Sequence, residues 1–380
     1  MRKISVHTLP LLAALAFTAL PGCAAQPAAT PAKGATTMAA PTTQKQWQLI
    51  KGSGPTYAFT LKEVPVRAPG ANEVLIRMRA ASLNRRDVFL VKGQYPVGGR
   101  TEVVPLSDGA GEVTAIGAGV TRFKVGDRVA PIFFQTWISG RPGPNVPGSA
   151  LGGQVDGVLS EYVTLNEQGV VKLPANLSYE EGATLACAGV TAWNGLVTRG
   201  RMQAGDYVLL EGTGGVSVFG LQFAAAAGAK PIITSSSDEK LAKAKSLGAI
   251  GGVNYKTNAD WEKPVRALTN GVGVHQVLEV GGKDSLPHAL AALAPGGHIA
   301  LIGGLGGFGG EVPAMALLGG NATVSGLYVG SRENFEAMNA FIEQHKIQPV
   351  IDKVFEFKDA PAAFELMESG NFFGKIVIRM

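Results

Sequence analysis

The 380-residue sequence predicts an α/β protein in which a doubly wound parallel sheet is joined to a β-rich domain. Three observations carry that prediction. The length exceeds one ordinary core, so two domains are expected. From about residue 188 onward, strand and helix patterns alternate. Before that point the chain reads as short strands punctuated by glycine turns, with few helical periods. A hydrophobic content of 46% with 17% charged residues suits a well-buried core.

The N-terminus stands apart from both domains. Met1-Arg2-Lys3 supplies positive charge, and residues 9–20 form an apolar stretch too short to span a bilayer as a mature helix. Residues 1–22 have the layout of a secretory signal. Leu20-Pro21-Gly22-Cys23 resembles a lipobox, although Pro21 is not its usual residue, and a lipid anchor at Cys23 is expected. That would tether an exported protein to the periplasmic face of a membrane. Translation from Met38 would instead leave a cytoplasmic protein. Residues 23–45 are rich in Ala, Pro and Thr, as in a flexible linker.

Residues 46–187 form the predicted β-rich domain, with strands in 73–83, 109–132 and 157–165. The Gly/Pro-rich loop 131–154 carries Phe133, Phe134 and Trp137, which look exposed and could wall a pocket. Residues 188–327 form the doubly wound domain. Its strands are YVLLEG, KPIITSS, GGVNY, VHQVLEV, HIALIGG and ATVSGLYVG; its helices include GVSVFGLQFAAAAG, DEKLAKAKSLG and LPHALAALAPGG. In 328–380, helical patterns over 331–345 and 359–370 precede a final strand KIVIRM, which is expected to return to the first domain.

The first β-α unit contains LLEGTGGVSVFG, residues 209–220. Gly212, Gly214, Gly215 and Val216 sit where a strand turns into a helix. Such a turn needs glycine for tight backbone geometry and close approach to a pyrophosphate at a helix N-terminus. Ser217 takes the place of a third glycine and is small enough for close packing. This predicts a Rossmann-type dinucleotide site. The second strand ends in Ser235, Ser236 and Ser237, with Lys240 one turn later, rather than in a ribose-binding carboxylate. Hydroxyls with a cation suit the 2′-phosphate of NADP. NAD stays possible, with Asp238 turned inward to its ribose; Ser236 and Glu239 also read as a helix capping box.

The formal net charge of +5 comes with no run of Lys or Arg, so nucleic-acid binding is not expected. Cys23 and Cys187 are the two cysteines, too few for a disulfide framework or a four-cysteine zinc lobe. The five histidines are His7, His275, His288, His298 and His345, and none falls in the β-rich domain.

DGAGEVTAIGAGV, FKVGDRV, CAGVTAW, GTGGVSVFG, EVGG and GKIVI together resemble the medium-chain dehydrogenase/reductase superfamily, from Trp47 to Met380. The resemblance implies a GroES-like catalytic domain beside the Rossmann domain. Zinc-dependent members hold the metal with Cys, His and Cys. At those places this chain has Asn84 in SLNRRDV, Ser107 in LSDGAGE and Cys187 in LACAGVTAW, so no metal is expected. Cys187 reads as a small buried residue.

SLNRRDVFLVKGQYP is similar to the corresponding segment of the zinc-free quinone oxidoreductases. That implies hydride transfer from NADPH to a quinone, enone or carbonyl, a small-molecule substrate. Alcohol dehydrogenation and a non-catalytic cofactor-binding scaffold are the alternatives. Candidate catalytic residues are Asn84, Arg86, Asp87, Tyr95 and Ser107, with Arg86 also able to pair with Asp87. By the same resemblance Thr191 contacts nicotinamide and Tyr255 lies near the 2′-phosphate. Val280, Gly281, Gly303 and Gly304, at strand ends, should line the ribose and nicotinamide. A homodimer is expected.

Overall fold

The computed structural model describes residues 41–380 except 308 and 310. The signal segment, Cys23 and the linker up to residue 40 lie outside the described residues. The first strand, β1, spans Thr43–Lys51, so it begins within the range expected to be linker. Among the described residues no helix is long and apolar enough to cross a membrane.

The β-rich region continues with β2 (Tyr57–Pro65), β3 (Glu73–Ser82), α1 (Arg85–Val91), β4 (Glu102–Val103), β5 (Asp108–Ile116), β6 (Arg128–Pro131), β7 (Tyr162–Asn166) and β8 (Val170–Lys172). The strand expected over 157–165 thus starts only at Tyr162. Gly157 and Val158 are instead bonded irregularly to Val104, Pro105 and Leu106. The aromatics of the loop 131–154 are not exposed, although its middle, residues 139–145, is. Phe133, Phe134 and Trp137 are at most 6% exposed and join the main hydrophobic cluster.

A short helix α2 (Tyr179–Gly182) leads into a helical stretch over 185–199, where α3 (Val190–Trp193) is flanked by wider π turns. Then β9 (Tyr207–Leu210), α4 (Gly215–Ala226), β10 (Lys230–Ser235), α5 (Asp238–Ser246), β11 (Gly251–Asn254), α6 (Glu262–Leu268), β12 (Val274–Glu279), α7 (Leu286–Ala292), β13 (Leu293–Leu301), α8 (Ala314–Gly320) and β14 (Thr323–Gly326) follow. The helix expected over LPHALAALAPGG stops at Ala292, and its LAPGG end opens β13. All six strands pair in parallel in the order β11-β10-β9-β12-β13-β14. The order reverses between β9 and β12, which opens a crevice at their carboxyl ends.

The tail comprises α9 (Arg332–His345), β15 (Ile351–Glu356), α10 (Ala360–Ser369) and β16 (Lys375–Arg379). It returns to the first domain as expected: β16 pairs antiparallel with β3 in the sheet β15-β16-β3-β5-β6-β8. The isolated bridge Gly214↔Gly374 brings the start of β16 against the glycine loop. The largest hydrophobic cluster combines Phe133 and Leu185 with Leu210 and Phe223, so packing is continuous across residue 187.

Candidate active site

The cofactor cradle is built from backbone. Gly212 has φ +73°, a left-handed conformation that glycine adopts without strain. Gly214 begins the helix α4, and a Cβ added there or at Gly212 would meet no atom within 4 Å. The turn therefore leaves open space in front of a 12-residue helix N-terminus, where unpaired N–H groups and the helix dipole favour a pyrophosphate. Ser217 is buried, and its hydroxyl donates to the Glu211 carbonyl at 2.6 Å, which closes the turn from inside. Val216 is half-buried against the main cluster.

The adenosine end differs in detail from the sequence expectation. Ser237, not Ser236, caps α5: its Oγ accepts from the Lys240 backbone N–H at 3.3 Å. Ser235 is buried, and its Oγ accepts from the Ser237 N–H. Ser236 is half-buried beside them. The Lys240 ammonium is committed to the Gly370 carbonyl at 2.9 Å, a partner 130 residues away. The Asp238 carboxylate accepts from Asn254 Nδ2 at 2.8 Å, which engages the acid that would otherwise serve an NAD ribose. Tyr255 lies next to Ser235, its N–H bonded to the Ser235 carbonyl and its ring 43% exposed.

At the other end, Val280 and Gly303 are in direct contact, since a Cβ on Gly303 would lie 2.4 Å from the Val280 carbonyl oxygen. Gly304 is buried beneath them, and Thr191 is buried in α3. Two acids outside the sequence-predicted site residues lie under this crevice, Glu211 within LLEGTGG and Glu279 at the start of EVGG. Leu210 pairs with Leu278, so the next residues, Glu211 and Glu279, stand side by side at the ends of β9 and β12. Both are buried. Burial and the neighbouring Glu279 raise the Glu211 pKa well above the usual carboxylate range. Gly281 N–H donates to Glu211, while Gly282 N–H and the Ser285 hydroxyl donate to Glu279. The acids thus tie the glycine turn after β12 to the glycine turn after β9.

The chemical centre gathers Asn84, Ser107, Asp108, Cys187 and Lys375. Asn84 precedes α1 and is 8% exposed; Ser107 and Asp108, at the start of β5, are fully buried. Ser107 Oγ donates to Asp108 Oδ1 at 2.6 Å, and the Cys187 N–H donates to Asp108 Oδ2 at 3.1 Å. Lys375 opens β16 and is 2% exposed. Its Nζ donates to the Leu83 carbonyl at 2.6 Å and to Asn84 Oδ1 at 2.7 Å, and lies 3.8 Å from Asp108 Oδ2. Its methylenes lie where a side chain on Gly215 would otherwise be. Asn84 Nδ2 is a buried donor without a partner. The sequence carried a signal for Lys375, a charge next to Gly374 that opens the apolar run Ile376–Ile378.

Asp87 is buried; its Oδ2 accepts from the Asn84 N–H at 2.8 Å, and its Oδ1 has no partner. Burial pushes its pKa up to about 6 against the pull of Arg86. Arg86 makes no ion pair with Asp87. It donates to the carbonyls of Leu151 and Gly152 and stacks between Tyr95 and Phe133, with Cζ 4.4 and 4.8 Å from the ring centres. The Tyr95 hydroxyl bonds that of Tyr328, a half-exposed residue to which no sequence motif points. Cys187 is half-buried rather than fully buried, and burial and Asp108 hold its thiol well above the ordinary range, in the protonated form.

Residues 70–175 match the alcohol dehydrogenase GroES-like domain family, and residues 215–344 match the zinc-binding dehydrogenase family. A zinc-type alcohol dehydrogenase-like protein of Schizosaccharomyces pombe is 46% identical over 325 residues, covering 84% of this chain and 93% of its own length. The zinc-type alcohol dehydrogenase-like protein YogA of Leptosphaeria maculans is 39% identical, covering 87% and 97%. A solved structure described as an alcohol dehydrogenase of Sinorhizobium meliloti superposes with a TM-score of 0.85 at 40% identity, over 90% of this chain and all of the other. A solved NAD-dependent alcohol dehydrogenase superposes with a TM-score of 0.80 at 33% identity, over 88% and 99%.

Zinc does not fit the donor set at this centre. A neutral amide, a hydroxyl and one thiol stand where three ligands would be needed, and a buried ammonium already lies among them. Among the described residues, no group of three His, Cys, Asp or Glu side chains is placed to hold a metal. A nicotinamide dinucleotide does fit the glycine cradle, whose open space a side chain would fill. With the fold, the cradle and these relatives together, the chain belongs to the medium-chain dehydrogenase/reductase superfamily, as an NAD(P)-dependent, alcohol dehydrogenase-like oxidoreductase.

Proposed function

We propose that the protein is a zinc-independent reductase that passes hydride from NADPH to the electrophilic carbon of a quinone, enone or carbonyl. The observation that carries the reading is the donor set around Lys375, where Asn84, Ser107 and a single thiol, Cys187, replace a metal's ligands. The bound nicotinamide supplies the hydride at C4. The chain's own task is then to stabilise negative charge as it builds on the substrate oxygen, and without a metal that requires hydrogen-bond donors. Asn84 Nδ2 is the unpartnered donor at the centre. Tyr95 and Tyr328 offer hydroxyls toward the exposed side of the same region. Arg86, by contrast, has its terminal nitrogens engaged with backbone and serves to hold Tyr95.

NADP is favoured because the strand β10 ends in Ser235 rather than a carboxylate, and Asp238 is occupied by Asn254. The kinship with alcohol dehydrogenases supports a second reading, oxidation of an alcohol. Measuring the rate in both directions with one substrate pair separates the two. The deciding experiment dialyses the protein against a chelator, then follows NADPH and NADH oxidation with quinones, enones and aldehydes. Undiminished activity, faster with NADPH, is expected. Activity lost on chelation and restored by zinc would refute metal independence; no oxidation of either cofactor would leave only a binding scaffold.

A further inference from the structure

We propose that Lys375 is a positioning residue that locks the Asn84 amide so that its Nδ2–H points to the oxygen of the substrate as negative charge develops there. The inference rests on the hydride-transfer reading above and goes one residue deeper.

The geometry allows one orientation of Asn84. An ammonium has three donors and no acceptor, so the amide atom 2.7 Å from Lys375 Nζ must be the oxygen. That leaves the NH₂ end as the free end, and it is the end without a partner in a nine-tenths buried side chain. An unpaired buried donor costs on the order of 1–3 kcal/mol. It persists here because the ammonium forbids the flip that would pair Nδ2 elsewhere. A cation on the amide oxygen also draws electron density from the nitrogen and strengthens its N–H bonds as donors.

Lys375 is itself fixed from three directions. The Leu83 carbonyl accepts one of its N–H hydrogen bonds, Asp108 lies 3.8 Å away, and the side-chain methylenes pack over Gly215 of the cofactor loop. The donor is thereby registered to the same loop that would seat the dinucleotide. The ionisable groups around Lys375 are Asp108 from β5, Cys187 from the stretch before α3, and Asp87 from α1. Burial lowers the Lys375 pKa from its ordinary value, and Asp108 opposes that shift. Once Lys375 loses its proton, the neutral amine can accept a hydrogen bond. Asn84 is then free to turn, and the oxyanion donor is lost on the alkaline side.

The test uses the full chain in two ways. In the cofactor-free wild type, the side-chain ¹³Cγ resonance of Asn84, assigned from its absence in Asn84→Ala, should titrate below the ordinary lysine value, 10.5. Wild-type kcat/KM should fall over the same pH range, and Asn84→Ala should lack that alkaline limb. In single and double variants, Lys375→Met and Asn84→Ala should each lower kcat by about 10²-fold with little change in KM, as for loss of one oxyanion donor. The double variant should be no more than about threefold slower than Asn84→Ala alone, because the two residues act as one unit. Multiplicative losses would mean that Lys375 acts independently of Asn84, and a static ¹³Cγ resonance would mean that the amide is not coupled to the ammonium; either overturns the proposal. If Lys375→Met does not fold, the wild-type resonance and pH profile decide alone. A wild type that oxidises neither nicotinamide with any substrate overturns the hydride-transfer reading as well, a result distinct from an active wild type whose variants are independent.

Discussion

Asp87 shows how a single buried group can weaken the fold that holds it. It is 1% exposed, one oxygen is unpartnered, and burial lifts its pKa from 3.8 to about 6 despite Arg86 nearby. The folded protein therefore binds this proton more tightly than the unfolded chain does. Below pH 3.8 both states are protonated and the penalty vanishes; as pH rises to about 6, stability is progressively lost. Asp87→Asn mimics the protonated form and keeps an acceptor for the Asn84 N–H. Above pH 6 the variant should be more stable than wild type by about 3 kcal/mol. The gap should close toward pH 4. Chemical denaturation of both proteins across that range measures it, and a gap independent of pH would show that Asp87 is not the titrating group. The Glu211–Glu279 pair acts in the same sense, since the raised Glu211 carboxyl is also lost as pH rises. Comparing variant with wild type cancels that common contribution.

At the scale of one element, the turn into α4 separates glycines kept for the cofactor from glycines kept for packing. Gly214 has φ −80° and open space where a methyl group would stand, so alanine fits the empty cradle without strain. Gly215 does not have that freedom, because its Cβ would lie 2.6 Å from Lys375 Cδ. Gly214→Ala should leave the melting temperature unchanged or raise it slightly through the unfolded state, yet weaken NADPH binding at least about tenfold by blocking close backbone approach. Gly215→Ala should lower the melting temperature even without cofactor. Calorimetry and cofactor fluorescence on both variants test this, and intact NADPH affinity in Gly214→Ala would remove the loop from the binding site. The same element shows what the sequence could reveal. Strand, glycine turn and helix are local features, so residues 209–220 could be read directly, as could the alternation up to β14. The helix cap sits one residue on, at Ser237, through a local bond to the Lys240 N–H, whereas Lys240 turns to Gly370 through a contact with the distant tail that no local pattern specifies. Lys375 and Asn84 are 291 residues apart, and only the pairing of β16 with β3 brings them together. Glu211 and Glu279 likewise meet through strand register, which no local pattern specifies.

At the scale of the whole molecule, the six-stranded sheet ends on an open edge. Among the described residues β14 pairs only with β13, so its outer backbone groups face outward. On the neighbouring β13, α8 has no buried residue; Met315 and Leu318 are 72% and 74% exposed, and Leu305 is 55% exposed. An unpaired edge strand next to clustered apolar side chains is a template for another chain. We propose a second copy as the occupant, because it would satisfy both features at once. Antiparallel pairing of β14 with its symmetry mate would join two sheets into one of twelve strands, by the arithmetic of six and six, and a two-fold axis would bring α8 against its partner. The chain is therefore expected to be a dimer at micromolar concentration in sedimentation equilibrium. Met315→Glu with Leu318→Glu places four carboxylates in that interface, two from each copy, and should give monomers. Neither residue touches the chemical centre, so the monomer should keep its helical and strand content by circular dichroism. A wild type that sediments as a monomer would rule the interface out, as would a double variant that remains fully dimeric.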